Sequence, residues 1–434
     1  MAERIIFHVD VNSAFLAWTA AHRVAVLGEK EDLRDVPSVI CGDKKDRKGI
    51  ILAKSTPAKK FGIQTGEPLF LAMEKCPNLV VAKPDYSLYV GASRKFMEML
   101  QSFSPVVEQY SIDEAWVDMS GTMGLYGSPL EAAELMRTRI WKELGFTVNI
   151  GISSNKLLAK MAGDFEKPNK IHTLFPEEME RKFWPLPVGD LFSVGKSTKK
   201  KLSFLGITTI GQLAQADVNL LHQKFGKQGE SIWHLANGRD IANVKTEAAA
   251  NKGYGNSITT PADVTTLVGA TKVLLSLCET VGMRMRQDGV RGQCMTVHVR
   301  TKDFTDSSHQ RQMPAVTNVT QELYDQACIA LQEHWDAKSP LRQIGVQVTK
   351  LSQGESPRQV SMFDEPSYER KEKIDATVDI LRRKFGEQSV IRARFLDNPN
   401  SHMAGGLDKE RRTGVTKAVP KDEIVGANQE SPSS

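Results

Sequence analysis

Two acidic stretches, far apart in the sequence, constrain this chain more than any other feature. In VEQYSIDEAWVD (107–118), two short β-prone runs flank a turn that carries Asp113 and Glu114. Near the N-terminus, the apolar run IIFHV (5–9) predicts a buried strand that ends at Asp10. For a single Asp-Glu pair, a solvated turn is the common alternative. Buried carboxylates, in contrast, repel one another and lose solvation unless a cation compensates them.

If the two stretches meet in the fold, three carboxylates surround one point. That is enough hard oxygen to hold two Mg²⁺ ions, which prefer carboxylates, carbonyls, water and substrate phosphates. The sequence therefore predicts a magnesium site formed by Asp10, Asp113 and Glu114.

The pattern hVDxxxxF followed by YSIDEAWVD resembles the Y-family of translesion DNA polymerases, in which the SIDEA turn is among the most specific motifs. The resemblance implies that Asp10 and Asp113 bridge both metals and that Glu114 completes the catalytic site. It also implies that the backbone carbonyl of Val11 is a further ligand. Phe15 lies at the steric-gate position of the family, where an aromatic ring excludes the ribose 2′-OH. The alternative for Phe15 is an ordinary core aromatic on an amphipathic helix.

A basic segment, AKSTPAKKFGIQTG (53–66), predicts a helix capped by Ser55 or Thr56. Amides at a helix N-terminus and cationic side chains together suit a triphosphate, and a solvated basic helix is the alternative. The resemblance places nucleotide contacts at Ser55, Thr56 and Lys59, and a further cation at Lys167 of the KPN stretch. Many family members carry Tyr and Arg where this chain has Thr56 and Lys59. Lysine binds phosphate as a point charge, whereas arginine binds it bidentately.

Residues 186–240 predict a helical segment that resembles a helix-hairpin-helix around FSVGKSTKKKLSFLG. Such a hairpin offers backbone amides to a DNA phosphate without reading bases. Gly195 and Lys196 are its predicted DNA contacts, whereas Ser193 replaces the usual first glycine. A structural hairpin with a solvated basic face is the alternative. Two further basic residues are candidates for DNA contact: Lys160 and Arg300.

Beyond a polar linker, the order strand, helix, strand, strand, helix, strand over 253–352 predicts a split-βαβ domain. It resembles the DNA-gripping little finger of the Y-family. The peptide QVSMF (359–363) resembles the segment by which bacterial polymerases dock onto the sliding clamp. There, Gln359 would make polar contacts while Met362 and Phe363 fill an apolar pocket.

After this peptide, residues 368–385 predict an amphipathic helix with Ile374, Val378 and Leu381 on one side. Such a helix needs a surface against which to bury that side. From residue 397 onward the chain has no aromatic residue and no periodicity, and it is rich in Gly, Ser, Pro and charged residues. This composition predicts a disordered tail.

These elements predict an α+β multidomain fold, and the resemblance implies a right-hand polymerase with palm, fingers, thumb and little finger. The thumb carries the helix-hairpin-helix and the little finger is the split-βαβ domain. The predicted boundaries are palm 1–17 and 78–185, fingers 18–77, thumb 186–240, linker 241–252, little finger 253–355, clamp-binding peptide and C-terminal helix 356–396, and disordered tail 397–434.

Composition narrows the class of protein without identifying it. A chain of 434 residues is long enough for three or four domains, and 40% hydrophobic with 25% charged residues is typical of globular proteins. A net charge of +5 is too small to indicate nucleic-acid binding by itself. Five scattered cysteines without CxxC spacing favour a reducing cytoplasm over a disulfide framework or zinc site. The sequence contains neither a signal segment nor an apolar run of membrane-spanning length.

The predicted function is template-directed, error-prone translesion DNA synthesis by two-metal phosphoryl transfer. The expected cofactors are two Mg²⁺ ions, and the expected partners are primer–template DNA, a deoxynucleoside triphosphate and the sliding clamp. The protein is expected to be monomeric, cytoplasmic and free of the membrane. One alternative is a non-catalytic accessory subunit of a mutagenic polymerase assembly, although nothing but catalysis would justify clustering these buried charges. A second alternative is a two-metal nuclease, for which the gate position and the KPN stretch are unnecessary.

Overall fold

The computed structural model describes residues 4–42, 49–247, 250–354 and 367–396, together with His402 and Met403. The predicted clamp-binding peptide, 359–363, lies outside the described residues, as does the predicted tail apart from those two positions. The chain forms two compact units, divided after residue 248. The first unit holds 4–42 and 50–247, and the second holds the described residues from 250 onward.

The first unit alternates short strands and helices. Its elements in chain order are β1 Ile6–Val11, α1 Ala14–Ala25, β2 Ser38–Cys41, β3 Ile51–Lys54, α2 Thr56–Lys60, α3 Leu69–Lys75, β4 Val80–Ala82, α4 Tyr86–Gln101, β5 Val107–Gln109, β6 Glu114–Asp118, α5 Pro129–Arg139, β7 Val148–Ser153, α6 Lys156–Gly163, β8 Ile171–Thr173, α7 Met179–Lys182, α8 Lys196–Phe204, α9 Ile210–Ala214, α10 Val218–Phe225 and α11 Lys227–Ala236.

A five-stranded sheet in the order β5-β6-β1-β7-β8 positions the acidic stretches. The predicted strand that ends at Asp10 is β1, and the two β-prone runs beside the Asp113–Glu114 turn are β5 and β6. Every residue of β1 and β7 is buried, as expected for central strands covered on both faces. The short edge strand β8 was not predicted, because three residues carry little periodic signal. The central position of β1 buries Asp10.

A second, three-stranded sheet in the order β3-β2-β4 supports the basic helix α2. Further along the unit, α7 to α11 surround a separate apolar core. In the predicted helix-hairpin-helix, Ser193 has a φ of 73°, so the serine adopts the left-handed conformation that a glycine would adopt more easily. Gly195 then precedes α8 as its N-cap. The hairpin backbone therefore tolerates the replacement of its first glycine.

The second unit is the predicted split-βαβ domain with one added helix. Its elements are β9 Gly253–Val264, α12 Leu267–Gln287, β10 Val290–Thr301, β11 Asp306–Thr317, α13 Thr320–Gln332, β12 Leu341–Gln353 and α14 Ser367–Phe385. The sheet order is β11-β10-β12-β9, so β12 lies between β9 and β10 and splits the β9–α12–β10 unit. The predicted order of elements is confirmed. None of the described helices has both the length and the hydropathy needed to cross a membrane.

The C-terminal helix forms where the sequence predicts it, but the prediction of which face is buried is wrong. Asp375, Asp379 and Arg382 are 6%, 2% and 2% exposed, respectively. Ile374, on the side predicted to be buried, is 50% exposed. The charged side of α14 therefore packs against the unit.

Candidate active site

Strands β1 and β6 place Asp10 and Glu114 opposite each other, as Cα partners in antiparallel register. Asp113 immediately precedes Glu114, and its carbonyl accepts a hydrogen bond from the Val11 N–H at 3.0 Å. Asp10 is only 8% exposed, and both turn residues are partly buried. The structure thus brings the two distant acidic stretches to adjacent backbone positions.

Two lysines pair with two of the three carboxylates, Asp10 and Glu114. The Lys167 ammonium lies 2.5 Å from Asp10 Oδ2 and 2.8 Å from Asp164 Oδ1. The Lys160 ammonium lies 2.5 Å from Glu114 Oε2. Within the described residues, no three acidic, histidine or cysteine side chains are grouped closely enough to hold a metal ion as they stand. Asp10 and Glu114 are instead held in ion pairs.

The carboxylates of the site differ in how readily they ionise. Burial raises the pKa of Asp10 to about 6, an effect that its lysine partner only partly offsets. Burial also raises the pKa of Asp113, although the Ser111 hydroxyl donates a hydrogen bond to it at 2.6 Å. Burial acts in the same direction on Glu114, but the neighbouring His8 ring and Lys160 charge outweigh it and hold the pKa at about 2.

The donor set fits a divalent hard cation in its chemistry. Three carboxylate groups on neighbouring backbone positions supply the oxygen ligands that Mg²⁺ prefers. Asp10 is buried enough for its ionised form to be disfavoured, and a nearby divalent charge would stabilise that form. Asp10, Asp113 and Glu114, with the carbonyl of Val11, are the residues that would hold such an ion.

His8 is a site residue that the sequence analysis missed. It is 1% exposed, and its Nε2 lies 3.3 Å from Glu114 Oε2. Its ring centroid is 5.4 Å from that of Trp116. Burial lowers the pKa of His8, which favours the neutral ring. The sequence does contain a signal for His8. Side chains alternate between the two faces of a sheet, so a residue two positions before Asp10 on the same strand lies on the same face as Asp10.

Most of the residues predicted to contact the nucleotide line one pocket. It has a volume of about 360 Å³ and lies beside the acidic site. The predicted residues that line it are Asp10, Ser55, Thr56, Lys59 and Lys167. Phe15 is not part of its described lining, although the neighbouring Leu16 and Ala17 are.

Ser55 lines this pocket, but its hydroxyl is used inside the protein. The hydroxyl oxygen accepts a hydrogen bond from the Ala58 N–H at 3.1 Å, which caps α2, and the O–H donates one to the Val36 carbonyl at 2.7 Å. Ser55 is 1% exposed, whereas Thr56 and Lys59 are exposed. Ser55 therefore shapes the wall of the pocket, while the other two are available to a ligand.

A network of asparagine amides fixes the loop that carries Lys167. The Asn12 side chain donates to Asn149 Oδ1 at 3.0 Å and accepts from the Asn169 N–H at 2.9 Å. The sequence predicts Asn12 or Ser13 as the cap of α1. Ser13 does occupy the N-cap position, but it makes no side-chain capping bond. Asn12 instead connects the end of β1 to the loop.

Arg34 is a second pocket residue that the sequence analysis missed. Its Nε and Nη2 donate to the two oxygens of Asp32 at 2.9 and 2.6 Å, and its Nη1 donates to the Gly145 carbonyl at 2.6 Å. The guanidinium also lies 5.4 Å from the ring centroid of Trp141. Arg34 therefore joins a loop after α1 to a segment more than a hundred residues later, and it closes one wall of the pocket.

Phe15 is held by aromatic stacking. Its ring lies 4.5 Å from that of Tyr89, with an angle of 13° between the planes, and 6.1 Å from that of Trp18. The Tyr89 hydroxyl is 3.1 Å from the Thr19 hydroxyl oxygen. A half-buried ring in such a stack has a defined position, which a steric gate requires.

The predicted DNA contacts lie in different environments. Lys160, with a side chain only 12% exposed, pairs with Glu114 in the acidic site rather than facing an open surface. Arg300 is partly exposed but forms a bidentate salt bridge with Asp306, with donor–acceptor distances of 2.6 and 2.8 Å. Lys196 is exposed at the start of α8. Of these three lysine and arginine side chains, Lys196 has the most open surroundings.

Comparison with known proteins identifies the family. Residues 9–164 match the impB/mucB/samB family, residues 251–362 match the C-terminal domain of that family, and residues 189–240 match the thumb domain described as DNA polymerase-iota. A Clostridium acetobutylicum protein named DNA polymerase IV is 45% identical over 394 residues, which are 91% of this chain and 98% of that protein. The chain belongs to the impB/mucB/samB family of Y-family DNA polymerases.

Other Y-family proteins extend the similarity. Bacillus subtilis DNA polymerase IV 2 is 36% identical over 404 residues, covering 91% of this chain and 95% of that protein. A solved Y-family DNA polymerase chimera is 23% identical, with a TM-score of 0.69, and the match covers 81% of this chain and 100% of the other. The family resemblance predicted from the SIDEA turn is thus confirmed, and the chain has the Y-family fold.

Proposed function

We propose that this Y-family protein is a template-directed, error-prone translesion DNA polymerase that adds deoxynucleotides to a primer 3′ end. The observation that carries the proposal is the pairing of Asp10 with Glu114 across two buried strands, with Asp113 beside them. The pocket that Asp10 shares with Lys59 and Lys167 has room for a triphosphate. The names of the relatives agree with this activity.

Asp10, Asp113 and Glu114 would hold two Mg²⁺ ions, with the Val11 carbonyl as a further ligand. When bound, the ions lower the pKa of the primer 3′-OH and neutralise the charge that develops on the leaving pyrophosphate. The residues of the chain supply a rigid frame for this chemistry, because both acidic stretches are fixed by the β1–β6 ladder.

Nucleotide binding would use the lysines on both sides of the pocket. Thr56 at the start of α2 and Lys59 in its last turn are exposed and can approach a phosphate. Lys167 lies between two carboxylates, Asp10 and Asp164, and phosphate oxygens would offer its ammonium a third anionic partner. Phe15 would exclude a ribose 2′-OH by steric contact.

DNA and clamp binding would use other parts of the chain. The amides after Gly195 and the ammonium of Lys196 suit a DNA phosphate at the N-terminus of α8. Gln359, Met362 and Phe363 would bind the sliding clamp as a short peptide, with the protein acting as a monomer.

Primer extension in Mg²⁺ tests this proposal against its two alternatives. A labelled primer annealed to a longer template is incubated with the protein and all four deoxynucleoside triphosphates. Stepwise lengthening is the expected result. A primer of unchanged length would indicate a non-catalytic accessory subunit, and a shortened primer would indicate a nuclease. The Asp113→Ala protein is the control for a contaminating polymerase.

A further inference from the structure

Helix α14 is attached to the second unit by its charged face. Asp375, Asp379 and Arg382 follow one another at helical spacing and are all nearly inaccessible to solvent. Arg286 of α12 donates to Asp379 at 2.6 Å and to Asp375 at 3.2 Å. Glu279, also on α12, accepts from Arg382 at 2.5 Å.

The buried charges are satisfied by further hydrogen bonds. Asp375 accepts from the Thr320 N–H at 2.7 Å, Arg382 donates to the Val390 carbonyl at 2.9 Å, and Arg392 adds a second guanidinium to Glu279. Breaking a buried ion pair by moving one partner away is strongly destabilising, because it leaves an uncompensated charge. A rotation of α14 about its axis would separate all of these pairs at once. The network therefore fixes which face of the helix is exposed to solvent.

The solvent-accessible side of α14 carries an apolar stripe next to the buried charges. Ile374, Val378, Leu381 and Phe385 recur at intervals of four, three and four residues, and they form one stripe along the helix. Ile374 is 50% and Phe385 64% exposed, and the two residues between them are half-buried. Near the start of the helix, the stripe borders a groove with a volume of about 490 Å³. A stripe of this kind normally marks the face that a helix buries.

The flank of the stripe is basic. Arg370, Lys373 and Lys384 are exposed on it, and none of them pairs with a carboxylate among the residues that the structure describes. One acidic residue, Glu369, also borders the groove. A second copy of α14 would bring the same cations together, and like charges disfavour such a contact. DNA would use the cations but would leave the apolar stripe exposed.

We propose that the outward face of α14 is a docking surface for an acidic amphipathic helix of a partner protein. Leucine-like side chains of the partner would cover Ile374 and Val378, and its flanking carboxylates would pair with Arg370 and Lys373. This inference concerns the second unit alone and does not depend on the proposed polymerase activity.

A designed peptide tests this surface directly. The probe is a fluorescein-labelled helical peptide about five turns (~18 residues) long, with leucines along one face and glutamates beside them. A second peptide keeps the leucines and replaces each glutamate with lysine. Fluorescence anisotropy with the full-length protein should show saturable binding of the acidic peptide, weakened by salt, and at least about tenfold weaker binding of the basic peptide.

Variants of α14 locate the binding face. Ile374→Glu should weaken binding of the acidic peptide at least about tenfold. The matched control is Val268→Glu, because Val268 is 68% exposed on α12 of the same unit and lies outside both the stripe and its basic flank. The double variant Arg370→Glu/Lys373→Glu should reverse the preference and bind the basic peptide better. Circular dichroism and thermal unfolding check that each variant remains folded.

Four results would overturn the inference. Equal binding of both peptides would show that the basic flank does not select an acidic partner. An unchanged affinity in Ile374→Glu would show that the apolar stripe is not the binding surface. Concentration-dependent dimerisation that Ile374→Glu abolishes would make a second copy of this chain the occupant. Binding to phosphatidylserine–phosphatidylcholine vesicles in preference to the acidic peptide would make the occupant a lipid surface.

Discussion

Asp10 and Glu114 face each other across the β1–β6 ladder, yet each carboxylate is paired with a different lysine. Lys167 reaches Asp10 from the loop after α6, and Lys160 reaches Glu114 from α6 itself. The cations that pair with Asp10 and Glu114 therefore come from one short segment. This arrangement links the acidic motifs and the KPN stretch in a single electrostatic unit.

Removing one of the three carboxylates should abolish nucleotide incorporation. For Asp10→Ala, Asp113→Ala and Glu114→Ala, we expect the single-turnover rate of primer extension to fall by about 10³-fold or more, since residues that act as a unit are not replaceable singly. DNA affinity measured by anisotropy should change little. Asp118→Asn is the matched control, because it neutralises another carboxylate on β6 that lies opposite Ile6. Incorporation that persists in Asp113→Ala would refute the assignment.

Shortening the gate residue should relax sugar selection. Phe15→Ala removes the stacked ring, so we expect the preference for deoxyribonucleotides over ribonucleotides to fall by about 10²-fold or more. The measurement is the ratio of kcat/KM for the two nucleotides. Tyr86→Ala is the control, since Tyr86 touches Phe15 only edge-on, with centroids 6.3 Å apart. An unchanged ratio in Phe15→Ala would exclude the gate role.

Arg34 should matter for nucleotide binding more than for chemistry. Arg34→Ala removes the bond to Gly145 and opens one pocket wall, so we expect KM for the nucleotide to rise about tenfold, equivalent to about 1.4 kcal/mol, with a smaller change in kcat. Arg23→Ala removes a surface pair with Glu29 at 3.4 Å and should leave both constants unchanged. A fall in kcat at constant KM would contradict a binding role.

The docking of α14 should weaken in acid. Burial opposes ionisation of Glu279, but the charges of Arg392 and Arg382 outweigh it and hold its pKa below the ordinary value of 4.5. Because the folded-state pKa is lowered, this stabilisation is fully present above pH 4.5 and is lost as the pH falls through the folded-state value. Hydrogen exchange of the α14 amides, corrected for the intrinsic rate at each pH, should therefore show less protection at low pH.

Glu279→Gln provides the matched measurement for that pH dependence. At neutral pH, breaking the buried pair should lower the free energy of opening α14 by about 3–5 kcal/mol, with a smaller difference from the parent protein in acid. Glu333→Gln changes an exposed carboxylate that pairs with Arg311, and it should have little effect at any pH. A difference between Glu279→Gln and the parent protein that is constant with pH would show that the charge of Glu279 is not responsible.

The predicted clamp peptide can be tested independently of catalysis. Met362→Ala combined with Phe363→Ala should remove the apolar anchors and weaken binding to a bacterial sliding clamp by at least about 10²-fold. Surface plasmon resonance measures this affinity, and primer extension without the clamp should be unaffected. Clamp binding that survives the double change would assign the contact to another segment.

The sequence alone was sufficient to predict elements whose local hydrophobic pattern matches their burial in the fold. The apolar run that forms β1 predicted a buried strand, and Asp10 at its end predicted a polar site at that point. The SIDEA turn indicated which second stretch would meet it. These inferences hold because alternation and turn chemistry act over a few residues, and the chain carries that information directly.

Other features were decided only by the tertiary structure. The partners of Asp10 and Glu114 could not be read from spacing, because Lys167 and Lys160 lie far along the chain and reach the carboxylates through the packing of α6 on the sheet. The asparagine network that supports Lys167 is non-local in the same way.

Helix α14 shows most clearly what the hydrophobic pattern of a sequence cannot predict. Its periodicity identifies an apolar stripe, and hydrophobic patterning alone would bury that stripe. The folded unit instead buries Asp375, Asp379 and Arg382. Arg286 and Glu279 of α12 pair with them there, and these partners offset the cost of removing the charges from water. Periodicity therefore determined where the helix forms, whereas electrostatic pairing across the fold decided which face it buries.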